Sequence, residues 1–160
     1  MRSAASPSAA VQRRTTSPSD VVPRLFLDSS ALAKRYVEEA GSERLESMLA
    51  GAERLGLSVL VVPEVISGLR RRRRERALTE AQYLAAKAAL LQDVRDAEIV
   101  GLVEPVVAAS VAILERSNVR ALDAIHIAAA LEWSAELFVS ADERQLHAAE
   151  QAGLAVARLA

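Results

Sequence analysis

Four acidic residues of this chain stand beside apolar segments, where a lone carboxylate is costly to place. They lie in LFLDSSA (residues 25–31), VVPEVI (61–66), ALDAIHIA (121–128) and FVSADE (138–143), and they are Asp28, Glu64, Asp123 and Asp142. Burying an unpaired charge costs several kcal/mol unless a partner offsets it. Three of the four have no Lys or Arg beside them in the sequence. A divalent cation is therefore the expected partner.

The chemistry of the four side chains limits which cation that is. Mg²⁺ and Mn²⁺ prefer oxygen ligands and keep several waters, so a purely carboxylate site suits them better than zinc. Such a site suits hydrolysis of a phosphodiester, because a metal can activate water and stabilise the leaving oxygen. We expect Asp28, Glu64 and Asp123 to be the main ligands. Asp142 would bind a second metal or orient a water.

Short apolar runs that alternate with helical stretches must position these acids. Strands are predicted over residues 24–27, 57–61, 99–102, 137–140 and 154–157, and helices over 31–38, 43–50, 63–76, 79–93, 105–116, 121–133 and 142–152. The strands lack polar alternation, which predicts a three-layer α/β/α fold around a parallel sheet of about five strands. The carboxyl ends of parallel strands meet at one edge, where ligands gather. Ser42 and Thr79 are the predicted N-caps, and Gly153 is a predicted helix-ending glycine.

Composition sets the remaining limits. The 160 residues suit one domain, 51% of them are hydrophobic but only 3% aromatic, and the net charge of −1 demands no polyanionic partner. Absence of Cys excludes disulfides and thiolate sites, and two His do not favour a His-rich zinc site. Residues 1–20, rich in Ser, Ala, Pro and Arg, are predicted to be a disordered tail before a domain over 21–160. No membrane span or signal peptide is expected, so the predicted location is the cytoplasm.

The four acidic segments together resemble the signature blocks of PIN-domain nucleases, and most of all the VapC-type toxins of bacterial toxin–antitoxin pairs. The similarity runs from about residue 24 to 157, in order and at the usual spacing. It implies a metal-dependent endoribonuclease with Mg²⁺ or Mn²⁺ as cofactor, RNA as substrate, a cognate antitoxin as partner and a homodimer. It also implies that Asp28, Glu64, Asp123 and Asp142 are catalytic and metal-binding, supported by Ser29 or Ser30.

Other interpretations of the same residues stay open. Asp142 and Asp123 could serve only as helix caps, and Glu64 could only favour the dipole of its helix. His126 could share a metal with Asp123 or be a hydrogen-bonded core residue that supports the ligands. The chain could also be an RNA-processing nuclease without an antitoxin, or a non-catalytic PIN-fold binding module.

Substrate contacts and the dimer surface are the least defined predictions. Lys34 and Arg35, one turn beyond Asp28, and Arg70 and Arg73 of the run over residues 70–74 are candidates for binding RNA phosphate. A solvated face or a surface for an acidic partner explains the arginine run equally well. The dimer is predicted to form through Ala- and Leu-rich helices over residues 31–50 and 81–91.

Overall fold

The computed structural model describes residues 23–159, so the predicted disordered tail lies outside the described residues. The strands of this part are β1 (Arg24–Leu27), β2 (Arg54–Ser58), β3 (Glu98–Val100), β4 (Leu137–Ser140) and β5 (Val156–Arg158). The helices are α1 (Ser29–Ala33), α2 (Ser42–Ala50), α3 (Val61–Arg74), α4 (Glu80–Asp96), α5 (Glu104–Arg116), α6 (Ala121–Glu132) and α7 (Glu143–Gln151).

The five strands form one parallel sheet in the order β3-β2-β1-β4-β5. The chain first moves outward from β1 to β3 and then returns to β4 on the other side of β1. The strand order therefore reverses between β1 and β4, which is where parallel α/β folds bind their ligands. The predicted three-layer fold with a five-stranded parallel sheet is confirmed.

Alternate residues of the strands supply two separate cores. Leu25, Leu27 and Leu57 face a core shared with α1 to α4. Phe26 and Phe138 face the opposite core, which is shared with α5 to α7. Because strand side chains alternate between the faces of a sheet, one short apolar strand packs against both helical layers. This burial on both faces explains why the strands carry no polar alternation.

Two of the three predicted helix ends are confirmed. The Thr79 hydroxyl accepts from the backbone N–H of Gln82, and the Gln82 side chain accepts from Thr79 N, a capping box. Gly153 has a φ of +97°, and Leu154 N donates to the Ala149 carbonyl as in a Schellman motif. The prediction for Ser42 is wrong, because Gly41 precedes α2 and the Ser42 hydroxyl donates to the Lys34 carbonyl instead.

Several element bounds differ from the prediction. The helix predicted over residues 31–38 ends at Ala33, and the freed Lys34 carbonyl is satisfied by Ser42. The second strand lies over Arg54–Ser58 rather than 57–61, because α3 already begins at Val61 and the Ser58 hydroxyl accepts from Leu60 N. None of the helices between residues 23 and 159 combines the length and apolar character that crossing a bilayer requires.

Candidate functional site

Asp28 lies at the carboxyl end of β1 and is 3% exposed. Its Oδ1 accepts from Ala31 N at 2.7 Å, which caps α1, and its Oδ2 accepts from the Ser140 hydroxyl at 2.7 Å. The Ser30 hydroxyl lies 2.9 and 2.8 Å from the two oxygens. Burial raises the pKa of Asp28, and these hydrogen bonds offset that effect only in part. A nearby cation would favour its charged form.

Glu64, in the first turn of α3, meets residues of two other helices. Its Oε2 accepts from the Ser29 hydroxyl at 2.5 Å and contacts Nε2 of His126. Burial alone would raise the pKa of Glu64, but the hydrogen bonds from His126 and Ser29 outweigh it and lower the pKa. Glu64 is therefore a carboxylate whose charged form is favoured by fixed donors.

Asp123 and Asp142 both lie at helix starts. The Asp123 Oδ2 accepts from Arg120 N, and the Asp142 Oδ1 accepts from Arg144 N and Gln145 N. Burial raises the pKa of Asp123, and the negative charges of Asp142 and Glu64 raise it further against the opposing hydrogen bond. The mutual repulsion of these carboxylates is what a bound cation would relieve. Both residues also perform the capping role that the sequence left open.

The four acids line one cleft of about 520 Å³ at the carboxyl edge of the sheet. Ser29, Ser30 and His126 lie among them, and four basic side chains line the same walls: Lys34, Arg71, Arg72 and Arg120. Arg72 is paired with Glu39 at 3.0 Å. Arg71 and Arg120 form no ion pair within residues 23–159. The cleft thus combines a carboxylate cluster with free guanidinium groups.

The side chains of the cleft fit a hydrated hard cation. Glu64 Oε1, Asp123 Oδ1 and Asp142 Oδ2 have no hydrogen-bond partner among the described residues. Within residues 23–159, no three His, Cys, Asp or Glu side chains are disposed to enclose a metal ion by themselves. Mg²⁺ is commonly held by one or two carboxylates and several waters rather than by a closed protein cage. The donor set suits that mode and not a closed structural site.

Of the four predicted RNA-binding residues, the structure places one in the cleft and three outside it. Lys34 lines the cleft, but its ammonium donates to the Ala40 carbonyl at 2.7 Å and lies 3.5 Å from Glu39. Arg35 lies outside the cleft and pairs with Glu46 and Asp93. The other two also lie outside it, with Arg70 over the Tyr83 ring and Arg73 paired with Glu80.

Three residues of the site, Arg120, Ser140 and Gln145, carried no role in the sequence interpretation, and Arg71 was one of five arginines in a run. Arg71 and Arg120 line the cleft, Ser140 donates to Asp28, and the Gln145 amide lies 3.4 Å from the Asp123 carbonyl oxygen. Ser140 carried a signal, since it ends a buried strand two residues before Asp142. Which arginines face the cleft depends on the rotation of α3 and on the approach of α6, and neither follows from local sequence.

The fold and the site define a parallel α/β domain with a carboxylate cleft at its switch point. The family model of the PIN domain matches residues 25–151, and this chain belongs to that family. None of the curated proteins matches its sequence.

Solved structures with the same fold come from several bacteria. VapC20 of Mycobacterium tuberculosis, described as a sarcin–ricin loop cleaving toxin, superposes with a TM-score of 0.64 at 17% identity, covering 84% of this chain and 98% of that chain. FitAcB of Neisseria gonorrhoeae superposes with a TM-score of 0.61 at 20% identity, covering 82% of this chain and 95% of that chain. A toxin–antitoxin complex of Klebsiella pneumoniae superposes with a TM-score of 0.62 at 16% identity, covering 86% of this chain and 98% of that chain. At these identities the likeness shows the fold.

Proposed function

We propose that this chain is a metal-dependent endoribonuclease and the toxin of a toxin–antitoxin pair. The observation that carries the proposal is the convergence of Asp28, Glu64, Asp123 and Asp142 in one cleft of a PIN domain. Membership of the family supports nuclease chemistry. Structural neighbours that are a toxin and a toxin–antitoxin complex support an antitoxin as partner.

The four carboxylates would hold Mg²⁺ or Mn²⁺, which when bound supplies an activated water and stabilises the leaving oxygen of the phosphodiester. Glu64 is held by Ser29 and His126, and Asp28 by Ser30, Ser140 and Ala31 N. These contacts fix the ligands before a cation arrives, so little reorganisation is needed on binding.

Arg71 and Arg120 are the residues that we propose for RNA phosphate, in place of Arg35, Arg70 and Arg73. Both line the cleft without an ion-pair partner in the described part of the chain, and a guanidinium matches phosphate geometry. The logarithm of the RNA-binding constant falls linearly with the logarithm of the salt concentration. For single-stranded RNA in EDTA, we expect Arg71→Ala or Arg120→Ala to make this slope shallower by about 0.7. Arg74→Ala, on α3 outside the cleft, is the control; an equal change there would contradict the assignment.

RNA cleavage by the purified chain tests the proposed chemistry. We expect cleavage of cellular RNA with Mg²⁺ or Mn²⁺, none with EDTA, and a loss of about a hundred-fold or more in Asp123→Asn. Asp96→Asn, the same change at the exposed last residue of α4, should cleave like the wild type. Cleavage that survives EDTA or Asp123→Asn would overturn the metal site.

Growth after expression separates a toxin from an RNA-processing nuclease. We expect expression of the chain without an antitoxin to arrest bacterial growth, and expression of Asp123→Asn not to. Metal-dependent cleavage in vitro together with normal growth would favour the RNA-processing nuclease instead.

A further inference from the structure

His126 joins three helices at the floor of the cleft. It lies on α6, three residues after Asp123, and is 2% exposed. Its Nε2 contacts Glu64 Oε2 and lies 3.2 Å from the Ser29 hydroxyl, which itself lies 2.5 Å from the same Oε2. Oε2 of Glu64 on α3 is therefore contacted by side chains from both α1 and α6.

The surroundings of the imidazole fix where its proton lies. A contact between Nε2 and a carboxylate oxygen requires the proton on Nε2, because the carboxylate can only accept. The other nitrogen, Nδ1, is buried without a hydrogen-bond partner among the described residues. A proton on Nδ1 would leave a buried donor unsatisfied, at a cost of about 1–3 kcal/mol. The geometry therefore places the donated proton on Nε2.

That tautomer excludes His126 as a metal ligand in this arrangement. A ligand nitrogen must offer a lone pair to the metal, but Nε2 carries the proton with which it donates a hydrogen bond to Glu64. The lone pair of Nδ1 belongs to an atom buried away from solvent. His126 therefore acts on the cleft through Glu64.

We propose that His126 is a positioning residue: together with Ser29 it fixes Glu64 through Oε2 and leaves Oε1 to bind the cation. Oε2 accepts two hydrogen bonds, and Oε1 has no partner within residues 23–159. A carboxylate held on one oxygen cannot rotate away from the cleft, which lowers the cost of ordering a ligand. This inference rests on the proposed metal-dependent function.

The tautomer is tested first, in metal-free protein. A long-range ¹H–¹⁵N spectrum of the imidazole side chains at neutral pH reports which nitrogen carries the proton, and His147→Gln identifies the signals of the second histidine. We expect a single His126 species protonated on Nε2. An imidazole without a proton on Nε2, or an average of both tautomers, would overturn the proposal whatever the activity of the protein.

Cation affinity is tested second, by calorimetry with Mn²⁺. We expect His126→Leu, which keeps volume without a donor, to weaken binding about ten- to a hundred-fold. His126→Gln, whose amide N–H replaces the Nε2 donor, should recover most of the affinity, and His147→Leu should bind like the wild type. Equal affinity in His126→Leu and the wild type would contradict the proposal, as would a failure of the Gln variant to exceed the Leu variant.

Two further results keep the outcomes distinguishable. Absence of Mn²⁺ binding by the wild type would defeat the proposed function and with it the cation role, while the tautomer spectrum would still decide the contact with Glu64. If His126→Leu does not fold, Ser29→Ala takes its place, since it removes the second donor to the same Oε2. Unchanged Mn²⁺ affinity in Ser29→Ala would then count against the proposal.

Discussion

Each carboxylate of the cleft performs a structural task, for which Glu64, Asp123 and Asp142 use one oxygen and Asp28 uses both. Asp28 caps α1, Asp142 caps α7, Asp123 accepts from Arg120 N, and Glu64 is held by Ser29 and His126. Capping and ligand binding do not exclude each other, since a carboxylate has two oxygens and about four lone-pair sites. The capping contacts fix side-chain rotamers that would otherwise have to be ordered when a cation binds.

At the residue scale, Asp28 makes the stability of the metal-free protein depend on pH. Its pKa is raised in the folded state, so the native protein keeps a proton after the unfolded chain, with an ordinary pKa of about 3.9, has lost it. The native state then binds more protons, and this group's contribution to stability falls as pH rises from about 4 through the raised pKa.

Urea unfolding in EDTA at several pH values measures this contribution as a difference between variants. Carboxyls with lowered pKa, such as Glu39, contribute in the opposite direction, so the wild-type profile alone is not diagnostic. We expect Asp28→Asn to gain stability relative to the wild type as pH rises through this window. A pH profile of Asp28→Asn that runs parallel to the wild-type profile would contradict the assignment.

At the element scale, the packing of α6 on β2 depends on the absence of a side chain at Gly56. A Cβ there would lie 2.6 Å from Cε3 of Trp133 and 2.9 Å from Cδ2 of Phe26. The indole follows α6 directly, and its Nε1 donates to Glu98 on β3 at 3.1 Å. A shift of Trp133 would therefore disturb the end of the helix that carries Asp123 and His126.

We expect Gly56→Ala to lower the free energy of unfolding by about 1–3 kcal/mol through overpacking. Chemical denaturation measures the effect, and Gly101→Ala is the control because a Cβ at that position meets nothing within 4 Å. The control should stay within about 0.5 kcal/mol of the wild type. Equal effects of the two substitutions would show that the close approach to Trp133 carries no energetic weight.

Elements whose ends carry local signals could be predicted from the sequence. β1 and β4 have the predicted bounds because each is a buried apolar run with a polar residue at its end. β1 stops just before Asp28, and β4 ends at Ser140. The prediction placed β2 too far along the chain because the largely apolar segment over residues 57–62 continues into α3. Apolar character alone does not separate a strand from a buried helix start. The acids could be found because their neighbours are apolar. Arg71 could not be singled out, because every arginine of the run over residues 70–74 looks alike until α3 is placed. The isolated Arg120 could not be found either, because it reaches the cleft only through the approach of α6.

At the scale of the whole molecule, the two surfaces proposed for the homodimer differ in exposure. On α4 the side chains Ala81, Leu84, Ala88 and Leu91 are exposed along one stripe. In the segment over residues 31–50, by contrast, Leu32 and Leu45 are fully buried in the domain's own core. A second exposed apolar surface lies on α5, at Val107, Val111 and Leu114.

We predict that the chain dimerises through α4. Light scattering at micromolar concentration should give a dimer for the wild type and a monomer for Leu84→Glu, because a charge at the centre of an apolar contact is costly to bury. Val111→Glu on α5 is the matched control and should remain dimeric. A monomeric wild type would contradict the predicted dimer. If Val111→Glu alone were monomeric, the interface would lie on α5 instead.

The rate of Mg²⁺-dependent RNA cleavage by Asp142→Asn tests the proposed four-carboxylate site most directly. Asn caps helices as well as Asp does, so this change keeps the start of α7 while removing one charge from the cleft. We expect an unfolding midpoint close to that of the wild type and a cleavage rate lower by about a hundred-fold or more. Wild-type cleavage by Asp142→Asn, with loss only in the less stable Asp142→Ala, would show that this acid is a cap and would contradict the four-carboxylate site.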